Sequence, residues 1–226
     1  FEARMGTDAL SQAGCTATLQ SLTSSTKGPG AKAAAFGACA AMAGEEVTCV
    51  VEARDRYGNT TTFAGENVAV VAFGPAHLPA DRPFEVADVR SGRMALRAIF
   101  PRSGSYTIAV TVDGIPIATS PLILHVFPGA CETSRAVLRG DALNGIVASK
   151  ITSLLVQTED KYGNHCHVGG DRVNLSMSGP NGIKVNSLDV KDNEDGTYSF
   201  SFIIPQSGRW TIQAVVNGRI AKESTT

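Results

Sequence analysis

Asp55-Arg56-Tyr57-Gly58-Asn59 returns as Asp160-Lys161-Tyr162-Gly163-Asn164, 105 residues further along the chain. Other markers keep step with it. Gly65 and Val68 correspond to Gly170 and Val173, and Gly92-Arg93-Met94 corresponds to Gly196-Thr197-Tyr198. Ser103-Gly104-Ser105-Tyr106-Thr107-Ile108 corresponds to Ser207-Gly208-Arg209-Trp210-Thr211-Ile212, and Gly114 to Gly218. Ordered markers at a nearly constant spacing signal an internal repeat, so the 226-residue chain holds two copies of a module of about 100 residues.

Between the markers the second copy reads as strands. Arg172-Val173-Asn174-Leu175-Ser176-Met177 alternates polar and apolar residues, the period of a half-buried strand. Tyr198 to Ile204 is rich in β-formers and stops at Pro205. Trp210 to Val216 ends at Asn217-Gly218, a hairpin pair. Asp192-Asn193-Glu194-Asp195-Gly196 is a polar turn. Turn signals roughly every 8–15 residues favour antiparallel sandwiches over a βαβ fold.

Composition narrows the function. The 43% hydrophobic and 18% charged residues describe a chain that folds rather than a disordered one. With 20 Lys+Arg against 21 Asp+Glu, there is no excess of basic charge of the kind a nucleic-acid binder needs. No apolar run approaches the ~18–20 residues of a membrane-spanning helix. There is no Gly-x-Ser-x-Gly elbow, phosphate loop or His-Glu-x-x-His. The expectation is a non-enzymatic chain with no catalytic residues, cofactor or metal, and with another protein as its partner. Arg139-Gly140-Asp141 reads as a turn.

Asp-x-Tyr-Gly-Asn, Asp195-Gly196-Thr197-Tyr198, Ser-Gly-x-Tyr/Trp-Thr-Ile and Gly114-Ile115-Pro116-Ile117-Ala118-Thr119-Ser120-Pro121 together resemble filamin-type (ABP280) immunoglobulin-like repeats. The resemblance implies an all-β chain of two tandem immunoglobulin-like β-sandwiches, each with strands A to G. Residues 1–10 then read as a leader or as the G strand of an upstream repeat. Residues 11–128 form one repeat with an insertion at 23–43 between strands A and B, and residues 129–226 form a second. The insertion is Ser/Thr/Gly/Pro-rich and then alanine-rich from Ala31 to Ala43, a composition that suits a short helix or a surface loop. In the second copy, A starts near Cys131 and B spans Lys150–Thr158. C spans Arg172–Ser178, D Ile183–Val190, E Tyr198–Ile204 and F Trp210–Val216. G is expected only after Ser224, so this sandwich is expected to lack its last strand.

Strand C differs between the copies. Asn67-Val68-Ala69-Val70-Val71-Ala72-Phe73 is apolar on both faces, whereas the second copy turns Arg172, Asn174 and Ser176 outward. Filamin repeats take up partner peptides as an added strand on the C–D face. The resemblance therefore makes the outward residues Ala69, Val71 and Phe73 candidates for partner binding, unless a neighbouring segment covers them. The same template sets Cys131, at the start of A, beside Cys166 in the B–C loop, making them a disulfide candidate. Cys15 matches Cys131 in position, but Thr61 stands where its partner would be, and Cys39 and Cys49 have no assigned pairing. Asn59 and Asn174 head glycosylation sequons.

Two functions follow from the resemblance. One is an extracellular cell-adhesion ectodomain of the gamete-recognition kind found in the green lineage. The other is an intracellular cytoskeletal scaffold, actin-crosslinking or ciliary, that uses its repeats as spacers and peptide docks. In both the partners are another protein and flanking repeats of the same chain, and neither nucleic acid nor membrane contacts these residues.

Overall fold

The computed structural model describes residues 16–21, 39–55, 57–75, 84–90, 92–186 and 189–225. Among the described residues the regular structure is all-β apart from short 3-10 turns, and the chain divides into two compact units, Phe1–Phe127 and Pro128–Thr226.

In the first unit the strands are β1 (Thr16–Ser21), β2 (Cys39–Met42), β3 (Glu46–Glu52), β4 (Val68–Phe73), β5 (Glu85–Arg90), β6 (Arg93–Ile99), β7 (Gly104–Val112), β8 (Ile115–Pro116) and β9 (Leu122–Phe127). One sheet has the order β1-β3-β6-β5 and the other β2-β9-β7-β4, with β8 on β7. Alternate residues point inward, as strand geometry requires. Val47, Cys49 and Val51 of β3 are buried, as are Tyr106, Ile108, Val110 and Val112 of β7 and Leu124 and Val126 of β9. The Phe100 and Tyr106 rings meet edge to face at 4.8 Å.

In the second unit β10 (Cys131–Arg139), β11 (Ile151–Asp160), β15 (Thr197–Ile203) and β14 (Asp189–Asp192) form one sheet in that order. The other is β13 (Lys184–Asn186), β12 (Val173–Ser178), β16 (Thr211–Val216) and β17 (Arg219–Thr225). One core joins the two sheets, with Leu154, Val156, Phe200 and Phe202 on one side and Leu175, Met177, Ile212 and Ala214 on the other.

Three sequence expectations are corrected. The end of the alanine-rich insertion is strand β2, not helix: it runs parallel to β9, with Cys39 opposite Leu124 and Met42 opposite Phe127. Ladder pairing and the burial of Ala41 override alanine's helix propensity here. Residues 1–15 and 22–38, which include Cys15, the leader and most of the insertion, lie outside the described residues. The single strand expected over Ile183–Val190 is two, because β13 pairs with β12 in one sheet while β14 pairs with β15 in the other.

The third correction concerns the last strand of the second sandwich. β17 occupies the edge expected to be vacant and pairs along β16, from Val216 opposite Arg219 to Thr211 opposite Thr225. Asn217 and Gly218 both have left-handed φ values of 49° and 84°, so the chain turns straight back in a tight hairpin. In the first unit the matching turn, Asp113-Gly114, is followed by a detour through the buried Ile117 before β9 rejoins β7.

Candidate functional site

The repeated residues are explained first by folding. In the second unit Asp160 is fully buried, and its Oδ1 accepts the N–H groups of Tyr162 and Asn164 at 2.8 and 2.9 Å. Its Oδ2 accepts the Asn164 side-chain amide at 2.8 Å and the Gly129 N–H at 2.9 Å. Gly163, with φ 79°, supplies the left-handed step that lets the loop close. Burial pushes the Asp160 carboxyl up, but the hydrogen bonds from the Asn164 amide and from the Gly129, Asn164 and Tyr162 N–H groups outweigh it and hold the group below its ordinary range. Asp55 repeats the pattern with Tyr57 N–H at 2.9 Å, Asn59 N–H at 2.8 Å and the Asn59 amide at 3.0 Å. The Asn59 amide is the first cause of its lowered pKa.

The Ser-Gly-x-aromatic motif is a second corner. The Tyr106 hydroxyl donates to the Arg102 carbonyl at 2.9 Å, and the Trp210 indole N–H donates to the Gln206 carbonyl at 3.1 Å. A Cβ on Gly74 would strike the Tyr106 ring, and one on Gly179 the Trp210 ring. Gly104 and Gly208 in turn leave no room for a Cβ beside Pro75 and Pro180. Gly74-Pro75 and Gly179-Pro180 are therefore a further repeated marker, spaced by the same 105 residues and legible in the sequence. Gly140 of Arg139-Gly140-Asp141 has φ 131° and its missing Cβ would lie 3.3 Å from the Ser153 carbonyl, so backbone geometry accounts for it.

What the copies share is thus structural, and functional differences are to be sought where they diverge. β4 is the outer strand of its sheet: it pairs with β7, and among the described residues no strand lies on its other side. Val70 and Ala72 point into the core, while Val71 and Phe73 are 43% and 57% exposed and Ala69 is half-buried. Phe73 lies opposite Thr107, and Thr107 opposite Ile123, itself 43% exposed, so two exposed apolar side chains flank a threonine in one row across the sheet. The counterpart β12 is different. Its Ser176–Ser178 end pairs with β13, and its exposed residues are Asn174, Ser176 and Ser178.

Among the described cysteines, Cys39, Cys49, Cys131 and Cys166 are free thiols. Cys131 begins β10 opposite Asp160. Its thiol lies within hydrogen-bonding reach of Cys166, with Thr158 and Asp171 beside them. Burial first, then the Asp171 carboxylate, pushes the Cys131 thiol up to about 12. Burial alone pushes Cys49 up to about 12. The sequon residues Asn59 and Asn174 are both exposed.

Residues 130–225 match the family model of the Filamin/ABP280 repeat. Residues 130–225 are thus a filamin-type repeat. Filamin-C of Rattus norvegicus is 29% identical over 151 residues, covering 66% of this chain and 5% of its own. Human tripartite motif-containing protein 2 is 29% identical over 79 residues, covering 35% of this chain and 10% of its own. The solved structure of invasin, described as a bacterial integrin-binding protein, shares the fold at a TM-score of 0.53 and 16% identity, over 96% of this chain and 40% of its own. The chain spans about a twentieth of the length of the Filamin-C relative it matches.

Proposed function

We propose that this chain is a non-enzymatic protein-recognition segment of an extracellular cell-adhesion ectodomain, of the gamete-recognition kind, in which the first repeat docks a partner strand on β4. The observation that carries the reading is the contrast between β4, with no strand on its far side among the described residues and with outward Val71 and Phe73, and β12, with a polar face and β13 alongside. An added strand gains main-chain hydrogen bonds along such an edge, and outward apolar residues supply the side-chain contacts that select it. Exposed Asn59 and Asn174 would carry glycans in that setting.

The test is adhesion of cells from the source organism to beads coated with the chain, together with protease access to the protein on intact cells. Val71→Glu lowers bead adhesion at least about tenfold if a central contact is lost, while Ser178→Glu on β12 of the other repeat leaves it unchanged. Equal adhesion by the two variants would sink the docking reading. A second reading, an intracellular scaffold, is favoured by the similarity to Filamin-C. Protection from external protease on intact cells would favour it.

A further inference from the structure

We infer that Cys131 and Cys166 form an intrachain disulfide that fastens the first strand of the second repeat to the loop following β11. Two sets of backbone bonds hold the two residues at the same end of β11. β10 meets β11 at its first residue, where Cys131 lies opposite Asp160. The Gly129 N–H bound to Asp160 anchors the chain just before that point. On the other side, the Asp160–Asn164 turn folds the loop back. The Cys166 N–H then donates to the Thr158 carbonyl at 3.0 Å, and the Cys166 carbonyl accepts from the Gln157 side chain at 3.2 Å. Gly196 completes the clamp, because a Cβ there would collide with the Cys166 carbonyl. The two thiols are left within hydrogen-bonding reach of each other.

The surroundings narrow what the pair can do. The side chains acting on it are Thr158, Asp171, Asp160 and Tyr198. Among the described residues no three His, Cys, Asp or Glu side chains converge as a metal site. Burial first, and then the nearby carboxylates, disfavour both thiolates, which argues against a reactive nucleophile. Oxidation to a cystine removes one buried and one half-buried thiol and replaces their contact with a bond. The first repeat lacks the device, since Thr61 takes the place of Cys166: its N–H donates to the Ala53 carbonyl, and its own carbonyl stands over Gly92.

The oxidant is a small-molecule or enzyme-borne disulfide. A thiolate of one cysteine attacks it, forming a mixed disulfide and releasing one donor thiol. The second cysteine's sulfur then attacks the mixed disulfide and releases the other. Two thiol protons leave the protein, and the two electrons end on the donor, now two thiols. Because both thiolates are disfavoured in the folded repeat, exchange is fastest before β10 docks. Compartments that supply such a donor are oxidising ones. The inference concerns the second repeat alone and does not depend on what binds β4.

The test equilibrates the whole chain in a glutathione and glutathione-disulfide buffer, alkylates it with iodoacetamide under denaturing conditions and maps its peptides by mass spectrometry. The expected result is one linked peptide pair, two hydrogens lighter than its parts, joining Cys131 to Cys166, with Cys15, Cys39 and Cys49 alkylated. Alkylation of both Cys131 and Cys166, or linkage of either to another cysteine, overturns the inference. This map needs no variant. Cys166→Ser should abolish the linked pair and remove the dependence of thermal stability on reductant. Persistence of that dependence would likewise count against it.

Discussion

Asp160 grips Asn164 with both carboxylate oxygens, Oδ1 taking the backbone N–H at 2.9 Å and Oδ2 the side-chain amide at 2.8 Å. The same carboxylate takes Tyr162 and Gly129 N–H groups, so one side chain closes the turn and anchors the chain before β10. Asp160→Ala leaves several buried or half-buried donors without their acceptor. The expected cost is about 3 kcal/mol, since hydrogen bonds to charged groups are the stronger kind and unmet donors carry a desolvation penalty. Chemical denaturation of the chain, with Trp210 fluorescence reporting on the second repeat, checks this. An unchanged midpoint would contradict it.

Asp160 and Asp55 also set the acid limit. Their folded pKa values are lowered, so the unfolded state binds protons more readily. Their contribution is therefore complete above the ordinary carboxylate range of about 4. It falls away as pH drops below that value through the lower folded pKa. Unfolding midpoints measured from pH 6 to 2 should decline in that window, and Asp160→Asn should flatten the slope.

At the alkaline end the sign reverses. The Cys131 thiol is pushed up to about 12, so the reduced protein keeps this contribution below the unfolded thiol pKa of about 8.5 and loses it as pH rises towards 12. The oxidised protein has no such thiol to titrate. Between pH 8 and 10 the stability gap between oxidised and reduced chains should therefore widen. By chain entropy alone that gap starts near 4 kcal/mol at neutral pH for a loop of about 35 residues.

The repeat and its strand order were legible because the marker residues are the ones geometry demands: the buried Asp, the left-handed Gly, and the aromatic that closes the Ser-Gly corner. The outward Val71 and Phe73 were legible because strand period alone assigns faces. β2 was not, because alanine's local preference points to helix while its actual partner, β9, lies 85 residues away in sequence. β17 was not legible because the resemblance sets strand G only after Ser224, whereas the hairpin at Asn217-Gly218 is sufficient to turn the chain directly onto β16.

Gly196 and Gly170 separate close approach from backbone freedom. Both have positive φ, 81° and 100°, but only at Gly196 does a Cβ meet backbone, the carbonyl of Cys166. Gly196→Ala must push the loop off β15, at an expected cost of about 3 kcal/mol. Gly170→Ala carries only the conformational strain, about 1 kcal/mol. Thermal melts of the two variants should differ accordingly, and equal melts would refute the close-approach account.

Neighbouring positions on β4 should fail in different ways. Val70 is 4% exposed and faces the core, so Val70→Asp buries an unpaired carboxylate and should cost about 3 kcal/mol or more, read as an early unfolding midpoint. Phe73, at 57% exposure, gives up little on substitution: Phe73→Lys should shift stability by less than about 0.5 kcal/mol. If β4 receives a partner strand, the same Phe73→Lys chain should lose cell adhesion while its melt stays in place. Adhesion that follows stability, failing with Val70→Asp and surviving Phe73→Lys, would instead mean that the partner reads some other surface of the folded repeat.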